Sequence, residues 1–493
     1  MDYSKLVSRR NKSQPLYVQL QASLVDAIES GELPAGTRLP SERDLAARVK
    51  VSRTTVVNAY QELESRGIVR SHVGRGTFVC AMPEPTDAPF AWRGKVSARL
   101  AHTGNTMSLR HLMHASSDPN LISFAVGAPA FECFPVNEFR RAIEQSLKHH
   151  ADIALGLGPT EGQPRLRRAV ARRFGTRPER ILILSGSQQG VDLIARCLID
   201  PGDAVIIDRP GYVGATQTLR AAGANLVGWD TVRADLGELE DLIVRYRPKL
   251  VYTDPTFQNP TGRVLPLRDR QDLLKLAARY RVPVVEDDPW WETYLDAPPP
   301  QSLYHLDTYN IVIHLSTFSK VLAPGLRLGW LAASEYIIDQ LASIKQHENL
   351  FTEGLGQFVL ADFLQSGLFD DHLIALRQMH TKKRNLMRHA LERHLPPRAL
   401  EVNTPRGGLH FWCRLNNGIE AQPLLQEALL NGMAFAPGEM FYADGAGRHE
   451  LRLCFSSVFS DKIEEGVKRL GRALRAAVGS KNVRGENARV PFI

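Results

Sequence analysis

Residues 316–330 read STFSKVLAPGLRLGW and follow directly on the apolar run IVIHLS at 311–316. A short β-branched run of this kind is expected to be a buried strand, which puts Lys320 just past a strand end. The pattern repeats outward in both directions. ILIL at 181–184, AVIID at 204–208, KLVYTD at 249–254, VPVVED at 282–287 and LRLGWLAA at 326–333 are further strand candidates. Helical stretches lie between most of them, among them Val191–Leu198, Leu267–Ala278 and Tyr336–Gln346. This alternation argues for an α/β fold with a mostly parallel sheet covered on both faces. From about 350 to 478 long helices mix with the strands GLHFWCRL and ELRLCF, as in a smaller C-terminal α/β domain.

Ligands of such sheets sit at the carboxyl ends of the strands, and three runs there carry chemistry. SGSQQG at 185–190 follows ILIL and opens a helix, so its backbone N–H groups with Ser187 and Gln188 can hold a phosphate. Asp287 ends VPVVED, where a carboxylate can bond the protonated ring nitrogen of pyridoxal 5'-phosphate (PLP). Lys320 can form a Schiff base with a bound aldehyde, while Thr317, Ser319 and Arg327 offer hydroxyls and a cationic fork to a phosphate. Taken singly, these fit an ordinary helix start, a loop acid and a surface lysine.

Together, SGSQQG, Pro210 and Tyr212, QNPTG at 258–262, EDD at 286–288, STFSK ending in Lys320, PGLRLGW at 324–330, GGLHFW at 407–412 and LRLCFS at 451–456 resemble the fold-type I PLP-dependent aminotransferases. The resemblance implies roles by matched position. Lys320 would be the Schiff-base lysine, Asp287 the partner of the ring nitrogen, Tyr212 a ring-stacking residue, and Asn259 the partner of the phenolic oxygen. Ser187, Gln188, Thr317, Ser319 and Arg327 would surround the phosphate, and Arg452 would grip a ligand carboxylate bidentately. Two positions depart from the pattern. Trp290 stands where many relatives have a tyrosine, and an indole can donate a hydrogen bond but not accept one as a phenol does. Leu157 stands where an aromatic residue, often directed at the neighbouring subunit's cofactor, is common. Both bear against efficient turnover.

The first eighty residues are different in kind. Leu16, Leu20, Leu24 and Ile28 share one helical face that ends at Gly31; Ser41 caps a second helix, with Asp44 expected to return a bond to the cap backbone. Ser52 caps a third, on which Val56, Tyr60 and Leu63 form the apolar stripe up to Gly67. Arg53, Thr54 and Thr55 fall in the first turn of that helix, the end that enters a major groove in helix-turn-helix proteins. GIVRSH and GTFVC read as a two-stranded wing joined by VGRG, which carries Arg75; Arg38 and Arg43 are further phosphate candidates. Pro15-Leu16-Tyr17, LPAGTRLPSERDLA, VSRTTV, Tyr60, Leu63 and GRGTFV resemble the winged helix of GntR-type bacterial regulators. The resemblance implies that Ser41, Arg43, Arg53, Thr55 and Gly76 lie at a DNA surface.

The expected organisation is therefore a winged helix at 12–80, a linker at 81–120, an aminotransferase-like domain at 121–478 with its small part from about 350, and a loose polar tail at 479–493. This combination resembles the MocR group of GntR-superfamily regulators. It implies a homodimer that binds a double-stranded DNA operator and senses an amino acid, an amine or PLP itself through aldimine chemistry at Lys320. The alternatives are an active aminotransferase of the aminoadipate or aromatic type that carries a DNA-binding domain, and a large domain that serves only to dimerise the regulator. Composition agrees with a globular chain: 43% of its 493 residues are hydrophobic and 23% charged, with a formal net charge of +8. Residues 1–80 hold 12 Lys and Arg against 8 Asp and Glu, an excess of four that favours a polyanionic partner. No signal peptide or membrane span is expected, which points to the cytoplasm; five scattered cysteines suggest reduced thiols and no metal site.

Overall fold

The computed structural model describes residues 3, 15–72, 75–80, 118 and 120–487. The chain divides between residues 96 and 97 into two compact units. Residues 12–14, Val73 and Gly74 of the expected winged helix, and all of the expected linker except Asp118 and Asn120, lie outside the described residues.

In the first unit, helices Leu16–Glu29, Glu42–Val49 and Arg53–Ser65 precede strands β1 (Val69–His72) and β2 (Gly76–Val79), which pair antiparallel from Val69↔Val79 to His72↔Gly76. Leu20, Leu24, Leu45, Val56 and Leu63 are fully buried and, with Ile28, Tyr60, Val69 and Val79, make one core, so the apolar stripes of all three helices meet the wing. The caps form at Ser41 and Ser52, each hydroxyl accepting the N–H three residues on at 3.2 Å. One detail differs from expectation. The Asp44 carboxylate accepts the Ser41 hydroxyl at 2.7 Å instead of reaching the cap backbone, since the short aspartate stem meets the nearer donor.

The second unit is built on a seven-stranded sheet. After a short β3 (Ile122–Ser123) come β4 (Ile181–Leu184), β5 (Ala204–Arg209), β6 (Asn225–Asp230), β7 (Leu250–Thr253), β8 (Val284–Asp287), β9 (Val312–Thr317) and β10 (Gly329–Ala332). Their spatial order is β4-β10-β9-β8-β7-β5-β6; β10 runs antiparallel to both neighbours and the other pairings are parallel. Fully buried runs such as ILIL in β4 are what a sheet covered on both faces requires. β6 was not among the expected strands: NLVGWD begins exposed at the sheet edge and lacks a continuous apolar run.

A second, four-stranded sheet has the order β11-β12-β15-β14, from β11 (Leu400–Val402), β12 (His410–Leu415), β14 (Ala436–Pro437) and β15 (Glu450–Cys454). β13 (Met433–Ala434) instead pairs with β3, and Phe124 joins the small-domain core. The start of the large unit is thus part of the small domain's packing. The final helix, Ile463–Asn487, runs through Gly479, where the loose tail was expected to begin. One glycine costs a helix about 1 kcal/mol, too little to stop one already nucleated.

Candidate ligand site and DNA-facing surface

Most of the predicted ligand residues lie at the carboxyl ends of β4, β5, β7, β8 and β9, and Arg452 reaches them from β15. Lys320 is half-buried, and its Nζ donates to the Gly127 carbonyl at 2.6 Å. Burial, with Arg452 as the next contribution, pulls its pKa down to about 8, so about one-tenth of it is neutral at pH 7, far more than for a free lysine. Asp287 ends β8 and is buried. Burial pushes its carboxyl up to about 6, against the Tyr252 hydroxyl that donates to its Oδ2; its Oδ1 has no hydrogen-bond partner.

Arg452, on β15, donates through Nη1 to Asn259 Oδ1 and through Nη2 to the Ala125 carbonyl, each at 2.7 Å, while its Nε is buried without a partner. It ties the small-domain sheet to the QNPTG loop. Tyr212 donates to Gln188 Oε1 at 3.1 Å. The Gln188 amide in turn donates to Thr218 Oγ1 at 2.6 Å and the Gly214 carbonyl at 3.2 Å. The Gln188 side chain is therefore engaged in holding Tyr212, which leaves its backbone N–H for a ligand.

Ser187 opens the helix Ser187–Leu198 behind Gly186, whose φ is +91°. A Cβ on Gly186 would lie 2.6 Å from Arg327 Nη2, and one on Gly329 would lie 2.7 Å from the Ser187 nitrogen. Thr317 Oγ1 sits 3.0 Å from Ser319 Oγ and accepts the Ser319 N–H at 3.1 Å. A helix N-terminus, the Thr317 and Ser319 hydroxyls and the exposed Arg327 thus lie close to Gly186 and Gly329, where only glycine lets the backbone and the arginine approach, a setting suited to an anion.

Three residues that the sequence reading passed over support the site. Tyr252 holds Asp287. Asp254, at the end of KLVYTD, accepts the Asn259 N–H at 2.9 Å and the Trp290 indole N–H at 3.1 Å. Asp208, at the end of AVIID, accepts the Asp254 N–H at 2.8 Å. Each acid closes its apolar run in the sequence as Asp287 closes VPVVED, and that placement was the available signal. Trp290 is buried, turned towards Asp254, with its ring centroid 5.4 Å from Lys320 Nζ. Leu157 is 86% exposed.

On the first unit, Arg38, Ser41, Arg43, Arg53, Thr54 and Arg75 are exposed and Thr55 half-buried. Arg38 lies against the wing, and a Cβ on Gly76 (φ +104°) would meet its Nε at 2.7 Å. Arg53 is paired with Glu42 at 3.0 Å and the Thr55 hydroxyl with Ser52 at 2.8 Å. Among the described residues no helix is long and apolar enough to cross a membrane, the cysteines are free, and no cluster of His, Cys, Asp and Glu could hold a metal ion.

Comparison with known proteins divides along the same line. Residues 119–470 match the family "Aminotransferase class I and II", and residues 16–79 match "Bacterial regulatory proteins, gntR family". A 2-aminoadipate transaminase of Thermus thermophilus is 37% identical over 78% of this chain and 98% of its own. The probable rhizopine catabolism regulatory protein MocR of Rhizobium meliloti is 29% identical over 96% of this chain and 97% of its own. Among solved structures, LysN, an α-aminoadipate aminotransferase from Thermus thermophilus complexed with N-(5'-phosphopyridoxyl)-L-leucine, superposes with a TM-score of 0.75 at 36% identity, covering 79% of this chain and all of that one.

Proposed function

The chain belongs to the class I and II aminotransferase family, fused to a GntR-type winged helix in the MocR manner, and from that membership we propose that it is a PLP-dependent transcriptional regulator. Its large domain senses an amino acid, an amine or PLP, and its winged helix binds operator DNA. The observation that carries this reading is a buried Asp287 with an unpartnered oxygen beside a lysine of lowered pKa, on the same chain as a winged helix with an exposed arginine set.

The residues present fit PLP. The free Asp287 oxygen wants a donor, which a protonated pyridine nitrogen supplies. The helix N-terminus at Ser187, with Arg327 close to Gly186 and the Thr317 and Ser319 hydroxyls nearby, suits a phosphate. PLP, when bound, supplies an aldehyde that links to amines and a ring that withdraws electrons from them. Lys320 provides the neutral amine, Asp287 holds the ring nitrogen's proton, Asn259 orients the phenolic oxygen, and Tyr212, steadied by Gln188, supplies a flat wall. Arg452 has its Nε left over for a ligand carboxylate, which favours amino acids, γ-amino acids included; a taurine-like amine would offer a sulfonate instead.

On the first unit, Arg38, Arg43, Arg53 and Arg75 with Ser41, Thr54, Thr55 and Gly76 form the proposed DNA surface. Two copies of the chain are proposed to act together. Ile143, Leu147, Ile153, Leu155 and Leu157 are exposed along and just after the helix Val136–Ala154, an apolar face suited to a second copy. The second reading, a working transaminase, draws on the 2-aminoadipate transaminase relative. Against it stands Trp290, whose indole N–H is turned to Asp254 where many relatives have a phenol.

Titration of the purified, PLP-loaded chain with a panel of amino acids and amines, followed by visible absorbance and by release of 2-oxo acid, separates the two. A spectral change without oxo acid, absent in Lys320→Ala, supports the sensor. Steady oxo-acid release supports the enzyme.

A further inference from the structure

A cavity of about 190 Å³ lies on the opposite face of the large sheet from Asp287. Side chains alternate between faces along a strand. Tyr252, Val285 and Leu315 share the core of one face, so His314 and Ser316 turn to the other. Asp288 does the same, because its N–H donates to the Leu315 carbonyl at 2.8 Å and continues the β8–β9 pairing by one residue. All three line the cavity with Phe174 and Trp330. The Phe174 ring centroid stands 4.5 Å from that of His314 and 4.7 Å from that of Trp330, which makes an aromatic wall. An apolar cavity of about 150 Å³ holds a benzene ring, so this one has room for a single ring and a small substituent.

The charges around it are matched with one exception. Arg173, at the rim, bonds Glu292 at 2.6 Å and Asp370 at 2.7 Å, and Arg377 also bonds Glu292. His314 bonds Glu286 at 2.9 Å, with Arg270 3.9 Å from the same carboxylate. Asp288 accepts the Trp291 N–H at 2.9 Å and the Trp290 N–H at 3.3 Å through Oδ1, but its buried Oδ2 has no partner. No cation is paired with Asp288 among the described residues.

We propose that this cavity is a second small-molecule site that takes a single-ring aromatic cation, an amidine or amine, with its ring among Phe174, His314 and Trp330 and its charged head towards Asp288. The aromatic wall favours a cation over an anion through the ring quadrupoles, and among the described residues lining it the one buried side-chain atom without a hydrogen-bond partner is a carboxylate oxygen. Thr317 borders this cavity and, through Ser319, the ligand site described above. The site stands on its own geometry and does not require that PLP binds.

Benzamidine is the probe, because it carries the ring and the charge yet does not condense with an aldehyde as a primary amine does. Binding heat would be measured by isothermal titration with the full chain, with benzyl alcohol as an uncharged probe of similar shape. The expected result is saturable binding of benzamidine that weakens about tenfold in Asp288→Asn and vanishes in Val170→Phe, which fills the cavity from the helix Pro164–Phe174. Lys320→Ala, outside the cavity, should keep the heat. No heat with the parent protein, equal binding of benzyl alcohol, indifference to both cavity variants, or loss in Lys320→Ala would each overturn the proposal.

Discussion

Replacing Tyr252 by phenylalanine removes one hydroxyl and nothing else from the ligand site. That hydroxyl donates to Asp287 Oδ2 in a buried setting, and it stays protonated across the working range because burial, and then the Asp287 charge, hold the tyrosine well above its usual pKa. A hydrogen bond to a buried charge is worth about 1.5–3 kcal/mol, or about one to two pKa units. Asp287, already raised to about 6, should then titrate about one to two units higher. At pH 7 its protonated fraction would rise from about one-tenth to half or more. Only the ionised carboxylate can pair with a protonated pyridine nitrogen, so PLP affinity is lost as pH falls through the Asp287 pKa. The assay is PLP affinity against pH for the parent and Tyr252→Phe. At pH 7 the variant should bind about two- to tenfold more weakly, with the two curves converging at higher pH where Asp287 is ionised in both. Superimposable curves would refute the role given to Tyr252.

Gly329→Ala should lower the stability of the large unit by about 1–3 kcal/mol and weaken PLP binding, because the new methyl group meets backbone at Ser187 and Gly186; thermal unfolding and a PLP titration read the two effects. Ser52→Ala removes the cap of the helix Arg53–Ser65 and should cost that helix about 1 kcal/mol, seen as roughly fivefold lower protection of its amides in hydrogen exchange. Arg75→Ala should reduce the slope of log affinity for DNA against log salt by about one, and an unchanged slope would remove Arg75 from the DNA surface.

Much of this was legible in the sequence, for identifiable reasons. ILIL, AVIID and VPVVED stand out because strands buried on both faces need unbroken apolar runs, and Ser41 and Ser52 because caps have a local signature. What stayed hidden depends on register or on distant partners. Tyr252 looks like any core residue of β7 until the β7–β8 pairing brings it to Asp287. The direction of β10 and the union of β3 with β13 are decided by chain segments far apart in sequence. Gln188 is the instructive case within the site. Its type and place suggested phosphate binding, yet its amide is fully engaged in bracing Tyr212. The engagement of Arg53 by Glu42 likewise follows from how two helices pack.

A ligand at Lys320 is proposed to change how the chain holds DNA, which requires that the ligand bind one arrangement better than another. The most direct test is fluorescence anisotropy on a duplex selected from a random pool by the purified, PLP-loaded protein, with and without the amine or amino acid that gives the spectral change. A shift in DNA affinity of about tenfold, the scale of a typical coupling between sites, is expected in the parent protein and none in Lys320→Ala. DNA affinity that ignores the ligand, or shifts equally in Lys320→Ala, would contradict it.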